Sequence, residues 1–123
     1  MENEKLYTVK EICTKYHITR KTLFYYDKTG LVKPAQRVGT QFHKLYDWFS
    51  VSVLEKVLTY RDAGLTIMEI REMMRPLLNM QDYVGILEKA RKRLLKEKSR
   101  KEEELRNLNT LIAEIQKRNS NNK

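Results

Sequence analysis

The chain has 123 residues, which suits one domain or a small domain with an appendage. Its formal net charge of +9 favours a polyanionic partner. Cys13 is the only cysteine, so a disulfide framework or a thiolate metal cluster within one chain is excluded. Because no apolar run has the length of a signal peptide or a membrane span, we expect a cytoplasmic protein with no membrane partner.

The positive charge is concentrated towards the two ends of the chain. Residues 5–46 carry a net charge of +7 and residues 84–123 carry +6, whereas residues 47–83 carry −2. The amino-terminal third and the tail are therefore the regions that favour a polyanion, and a near-neutral segment separates them.

Two short helices joined by a tight turn are predicted near the amino terminus. Thr8 and Glu11 have the spacing of a capping box, which begins the first helix. Thr19 is the next N-cap, and Gly30 supplies the left-handed stop of the second helix. Two short helices separated by a turn of about three residues are typical of a helix-turn-helix, which we place at about 8–27.

The second of these helices begins with a basic turn. Arg20 and Lys21 follow the cap, where the positive end of the helix dipole disfavours cations. A bound phosphate would compensate both charges and the unpaired N–H groups of that turn. Helical spacing from Leu23 points Tyr26 inward and leaves Tyr25 outward. We therefore predict that this helix docks on nucleic acid.

A small β-hairpin is predicted over about residues 35–46. This stretch is too short and too broken for a helix, and Gly39-Thr40 offers a turn between two brief extended pieces. The residues that we expect on its exposed surface are Arg37, His43 and Lys44.

A second helix pair is predicted over residues 47–75. Asp47 caps its first helix, which Gly64 ends, and Thr66 with Glu69 begins the next helix. That helix stops before Pro76. The apolar face of the first helix is predicted to consist of Trp48, Val51, Leu54, Val57 and Leu58.

One long helix is predicted from about Asp82 to Arg118, inside a segment that we assign to residues 77–118, with a disordered tail at 119–123. A lone helix with so few apolar positions is marginal in water, so we predict a homodimer through a coiled coil. An antiparallel pair suits the pattern, because apolar ends would meet apolar ends and the charged centre would lie at the two-fold axis. The predicted dimer contacts are Val84, Leu87, Leu94, Leu105, Leu108, Ile112 and Ile115.

The sequence predicts no enzyme. Paired carboxylates, a nucleophile with a base, and a glycine-rich phosphate loop are all missing from it, so we expect no catalytic residue, no metal and no cofactor. A buried, inert thiol is the simplest interpretation of Cys13, and a redox role for it stays an alternative.

The sequence resembles the MerR family of bacterial transcription regulators. The resemblance lies in YTVKEICTKYHITRKTLFYYDKTGLVKP (7–34), in KLYD (44–47) and in YRDAGLTIMEIREM (60–73). It implies a mainly α fold: a winged helix-turn-helix domain over 1–76, a second helix pair and a long carboxy-terminal helix that forms an antiparallel coiled coil.

The resemblance also implies what the protein binds and how. The second helix would enter the major groove of double-stranded DNA, and the hairpin wing and helix pair would contact the flanking backbone. The protein would be a homodimer that bends or untwists a promoter spacer, with RNA polymerase as a further partner. The predicted DNA contacts are Thr19, Arg20, Lys21, Thr22, Tyr25, Tyr26, Arg37, His43, Lys44 and Arg61.

Two departures from the family pattern concern the DNA-binding surface. Phe24 stands where the family usually has arginine, and Lys44 keeps a basic wing position as lysine. The chain also has neither the effector domain of drug-sensing members nor the cysteines of metal-sensing members, so the resemblance implies a short regulator without a recognisable ligand site. An excisionase-like architectural DNA-binding protein and a coiled-coil adaptor for an acidic protein are the alternative functions.

Overall fold

The computed structural model describes residues 5–39 and 43–121. The chain divides into two compact units, the first ending at Met74 and the second beginning at Arg75. The elements of the first unit are β1 (Tyr7–Thr8), α1 (Val9–Tyr16), α2 (Arg20–Thr29), β2 (Gln36–Val38), β3 (His43–Tyr46), α3 (Trp48–Asp62) and α4 (Ile67–Met73). The second unit contains α5 (Met80–Asn121).

Helices α1 and α2 form the predicted helix-turn-helix. The Thr8 hydroxyl accepts from the Glu11 amide at 3.1 Å, and the Glu11 carboxylate accepts from the Thr8 amide at 3.0 Å, as the capping box requires. His17 ends α1 with φ of 55°, and Gly30 ends α2 with φ of 80°. Helix α2 extends to Thr29, two residues beyond the predicted end of the motif, because the chain leaves the helix only at this glycine.

The wing is part of a three-stranded antiparallel sheet with strand order β1-β3-β2. In the hairpin, Arg37 pairs with Lys44. Strand β1, which the sequence analysis did not predict, pairs Tyr7 with Tyr46 and ties the start of α1 to the wing. Two residues are too few to produce a strand periodicity. Of the predicted Gly39-Thr40 turn, Thr40 lies outside the described residues.

Helices α3 and α4 have the predicted caps but not the whole predicted apolar face. The Asp47 carboxylate accepts from the Ser50 amide at 2.8 Å, and Thr66 and Glu69 form a capping box. Trp48 was expected to be buried, yet 62% of its surface is exposed. At about 100° per residue, Trp48 lies about 120° around the helix from Leu54, outside the buried arc.

Buried side chains from α1, α2, β3, α3 and α4 form the core of the first unit. Tyr26 from α2 and Tyr46 from β3 are among its largest fully buried side chains. Burial raises the pKa of Tyr46 to about 12. The other large buried side chains are Ile12, Leu23, Leu54, Ile70, Val32 and Val57.

The second unit is dominated by α5, whose 42 residues give a length of about 63 Å at ~1.5 Å per residue. Asn79 and Asp82 exchange hydrogen bonds of 2.8 and 3.1 Å and cap its first turn. The helix continues to Asn121, so residues 119–121 are helical and not a disordered tail. The last two residues of the predicted tail lie outside the described residues.

Candidate nucleic-acid interface

The start of α2 presents cations to solvent. The Thr19 hydroxyl caps the helix by accepting from the Thr22 amide at 3.1 Å. Arg20 and Lys21 are exposed, and the first turn contains no acidic residue. Neither cation forms an ion pair with another described residue. Among residues 5–39 and 43–121, the first turn of α2 therefore has positive charge without an ion-pair partner beside the N–H groups that a helix start leaves unpaired.

The two neighbouring tyrosines of α2 have opposite environments. Tyr25 is 48% exposed, whereas Tyr26 is 1% exposed and belongs to the core. Burial raises the pKa of Tyr26, as expected for a phenol removed from water. The predicted DNA contact at Tyr26 is thus a core residue, and Tyr25 is the tyrosine that reaches the surface.

An open groove of about 440 Å³ runs along the exposed face of α2. Lys21 and Lys28 contribute cations from α2, and Arg61 contributes a third from the last turn of α3. The rest of the lining is Thr22, Phe24, Tyr25 and Tyr26. The groove therefore brings the predicted contacts of α2 and of the helix pair onto one surface.

Asp27 joins α2 to both strands of the wing. Its nearly buried carboxylate accepts two hydrogen bonds from the Arg37 guanidinium, at 2.8 and 2.7 Å, and lies 2.9 Å from the Lys44 ammonium. The hydrogen bonds from Arg37, assisted by Lys44, lower the pKa of Asp27 although burial opposes that shift. Asp27 is thus ionised at neutral pH and positions the wing against the helix.

The two predicted wing cations differ in how far they are available to DNA. The Arg37 side chain is about half exposed and has N–H groups that Asp27 does not use. The Lys44 side chain is only 16% exposed, and its ammonium lies 3.9 Å from the centre of the Phe24 ring as well as beside Asp27. Lys44 therefore faces inward, and its structural neighbours are Asp27 and Phe24.

A second groove, of about 420 Å³, lies between α1, α2 and the wing. Arg20, Lys10 and the exposed His43 contribute its basic and imidazole groups.

The helix pair contacts α2 as well. Arg71 of α4 donates a hydrogen bond to the Thr29 carbonyl at the end of α2. The wing and the helix pair are therefore both attached to α2.

The predicted dimer contacts form an exposed apolar stripe on α5. Its seven members are exposed within the chain: Val84, Leu87, Leu94, Leu105, Leu108, Ile112 and Ile115. Their intervals of three, four, seven and eleven residues each return to about the same side of a helix with 3.6 residues per turn, and the eleven-residue interval separates Leu94 from Leu105.

Within the described residues, no cluster of His, Cys, Asp and Glu has the geometry of a metal site. Cys13 is partly buried, and burial raises the pKa of its thiol. Among the described helices, none combines the length and the apolar character required to cross a bilayer.

The fold and this surface together define a winged helix-turn-helix domain. A family model described as MerR HTH family regulatory protein matches residues 7–77. The chain belongs to this family.

Known proteins with similar sequences and structures agree with this assignment. The nodulation protein NolA of Bradyrhizobium elkanii is 28% identical over 76 residues, which are 62% of this chain and 34% of NolA. The chain therefore spans about a third of that curated relative. A MerR-family transcriptional regulator from Bacillus cereus is 24% identical with a TM-score of 0.71, over 82% of this chain and 75% of that chain.

Two further solved structures share the fold. The EcmrR–DNA complex in EcmrR-RPo has a TM-score of 0.75 at 22% identity, covering 90% of this chain and 40% of that one. The amino-terminal part of MtaN, a multidrug transporter activator of Bacillus subtilis, has a TM-score of 0.66 at 21% identity, with 86% and 97% covered.

Asp27 and Phe24 contact the wing, and neither contact was predicted from the sequence. Asp27 and Glu11 are the only acids among residues 5–46, and Glu11 already belongs to a cap. An acid without a local role, surrounded by cations, is a signal for an ion pair, but its partners become identifiable only when the register of β2 and β3 is known.

Proposed function

We propose that the chain acts as a homodimer that binds a pseudo-palindromic promoter site in a sequence-specific manner. In this proposal α2 enters the major groove, while the wing and the helix pair contact the backbone on either side. The observation that carries the proposal is the pair Arg20 and Lys21, exposed without a described ionic partner in the first turn of a capped helix. A phosphate or a base edge would supply the missing acceptor.

The proposed contacts fall into three chemical groups. Arg20 and Lys21 would reach base edges or phosphates from the start of α2, where the Thr19 and Thr22 hydroxyls lie beside them. Backbone contacts are proposed for Tyr25 and Arg61 along the α2 groove, and for Arg37 and His43 on the wing. Lys44 is proposed to position the wing, because its ammonium forms an ion pair with the Asp27 carboxylate.

Dimerisation is proposed through the apolar stripe of α5. Seven exposed Leu, Ile and Val side chains on one helix face would leave water on pairing, and each buried CH₂ contributes about 0.8 kcal/mol. The charged segment from Lys96 to Glu104 would lie near the two-fold axis of an antiparallel pair, where cross-chain ion pairs favour that register.

The proposal includes a mechanism at the promoter. Two domains joined by a stalk would bind two half-sites on the same duplex, and bending or untwisting the spacer would let both domains reach their sites. The DNA complex of EcmrR, a protein of the same fold, supports DNA as the partner. We further propose that RNA polymerase is the assembly that responds to the altered promoter.

Selection of bound genomic fragments, followed by substitution at α2, tests the proposal. Arg20→Ala and Lys21→Ala should each weaken binding to the selected site about tenfold or more, because each removes a charged contact. Lys56→Ala is the matched control, an exposed lysine of α3 outside both grooves, and it should leave the affinity unchanged.

The melting temperatures of the variants and the positions of the protected sites complete this test. The three variants should melt close to the wild type, since all three side chains are exposed. Unchanged affinity in both α2 variants would contradict the proposal. Protection of many sites away from promoters would favour an architectural role, and no retention on DNA would favour an adaptor.

A further inference from the structure

Phe24 is an aromatic side chain on the exposed side of α2. Phe24 is 38% exposed, although the buried apolar residues of the helix, Leu23 and Tyr26, lie on either side of it in sequence. Phe24 lines both grooves that flank α2, so it stands between the α2 cations and the wing. An apolar group in this place cannot bind a phosphate by charge or by a strong hydrogen bond.

The wing holds the Phe24 ring in place. The Lys44 ammonium lies 3.9 Å from the ring centre, a distance that a cation–π contact requires. The same ammonium lies 2.9 Å from the carboxylate of Asp27, which follows Phe24 by about one turn of α2. The Lys44 side chain is only 16% exposed. One face of the ring is thus covered by a cation that is itself fixed, and the remaining surface of the ring is presented in a defined orientation.

Phe24 and Arg20 are four residues apart and therefore lie on the same side of α2. Their separation along the helix axis is about 6 Å at ~1.5 Å per residue. This rise corresponds to roughly two base-pair steps of ~3.4 Å. If Arg20 contacts one base pair, Phe24 faces a pair about two steps away on the same groove surface.

We propose that Phe24 reads the C5-methyl group of a thymine, about two base pairs from the base that Arg20 contacts. Apolar contact with the thymine methyl is the chemistry by which an aromatic side chain distinguishes bases in the major groove. The contact buries one methyl group, which corresponds to a preference of about three- to tenfold. This inference rests on the proposed binding of α2 in the major groove, and it adds a determinant of specificity to it.

A scan with deoxyuridine tests the inference on the full chain. Deoxyuridine keeps the base pairing of thymine and lacks only the methyl group, so each thymine of the selected site is replaced in turn. The wild type should lose about three- to tenfold in affinity at one thymine in each half-site. Phe24→Ala should bind the thymine and deoxyuridine duplexes equally at that position.

Two variants separate methyl recognition from general weakening. Tyr25→Ala should bind less tightly yet keep the full thymine preference, because Tyr25 lies about 100° around α2 from Phe24 and does not line the groove that Phe24 shares with Arg20. Phe24→Leu keeps an apolar side chain and should keep part of the preference, which guards against misfolding of the alanine variant. The scan of the wild type needs no variant at all.

Two results would overturn the inference. One is a wild type that is indifferent to the loss of every thymine methyl while it still binds its selected site. The other is a folded Phe24→Ala variant that retains the full preference. Failure of the proposed function has a different signature, because the wild type would then select no duplex.

Discussion

Asp27 determines which cations of the DNA-binding unit remain available to a phosphate. It pairs with Arg37 and Lys44, so two of the three predicted wing contacts are attached to one carboxylate. Arg37 has further N–H donors and stays half exposed, whereas the ammonium of Lys44 is enclosed. The net positive charge of a surface therefore overstates the number of groups that can bind DNA.

Replacement of Asp27 by asparagine should destabilise the folded chain in a pH-dependent way. The variant leaves two cations without their anionic partner, and we expect a loss of about 1–3 kcal/mol in the free energy of unfolding at neutral pH. In the folded chain, the pKa of the Asp27 carboxyl lies below its ordinary value of 3.8. Its stabilisation is therefore complete above pH 3.8 and is lost as the pH falls through the lowered folded pKa.

Urea unfolding of the wild type and Asp27→Asn between neutral pH and pH 2 measures this effect. The two free energies should converge only in the acidic part of the range. Asp62→Asn is a suitable control, because Asp62 is an exposed carboxylate. A constant difference down to the lowest pH would mean that Asp27 acts through packing alone.

The salt dependence of DNA binding tests whether Arg61 contacts a phosphate. If it binds one phosphate, Arg61→Ala should reduce the slope of log K against log salt by about 0.9 per subunit and weaken all sequences equally. Lys44→Gln should leave the slope unchanged, because the Lys44 ammonium faces Asp27. Fluorescence anisotropy titrations at four or five salt concentrations give both slopes, and a fall in the slope for Lys44→Gln would assign it to the DNA surface.

At the scale of elements, the sequence predicted the helices well and the wing less well. Each of α1, α2, α3 and α4 begins at a Thr or Asp side chain that accepts a hydrogen bond from the backbone amide three residues later. Such signals are local, so a single sequence contains them. Strand β1 and the ion pairs of Asp27 depend on contacts between distant segments, which local patterns do not specify.

The errors within helices have the same origin. Trp48 follows the cap of α3 at a spacing that fits an apolar face, but the buried arc is set by Leu54 and Val57, against which the rest of the unit packs. For the candidate site, the sequence identified the exposed cations of α2 and placed Tyr25 and Tyr26 on their correct sides. It could not distinguish Arg37 from Lys44, because their exposure depends on one carboxylate.

The direction of the two α5 helices in the proposed dimer can be tested by crosslinking. In the antiparallel register, Leu87 of one subunit lies near Ile112 of the other, so the double variant Leu87→Cys with Ile112→Cys should form an intersubunit disulfide. The single variant Leu87→Cys should not, because its two copies lie at opposite ends of the stalk. Crosslinking of the single variant, read by non-reducing electrophoresis in a Cys13→Ala background, would indicate a parallel pair.

At the scale of the whole molecule, DNA binding should depend on association of the subunits. Two half-sites bound by one dimer give a far higher affinity than either half-site alone, because the second contact is intramolecular. Disruption of the α5 stripe should therefore impair binding even though α2 is unchanged.

A pair of adjacent lysine substitutions tests this dependence. Ile112→Lys places a charge in the apolar stripe and should yield a monomer that binds the site at least 100-fold more weakly. Ala113→Lys adds the same charge to the same turn outside the stripe and should remain dimeric and active. Light scattering measures the mass, and a monomeric Ile112→Lys that binds as tightly as the wild type would exclude a dimer requirement.

The carboxylate of Asp27 has a practical consequence for anyone who wishes to retarget this regulator. A recognition segment transplanted from a relative would bring its own residue at position 27 and its own ring or cation at position 24. Unless Arg37 and Lys44 were exchanged with it, the wing would face mismatched neighbours and lose its orientation. The smallest portable unit for changing the target site is thus α2 together with the two wing strands.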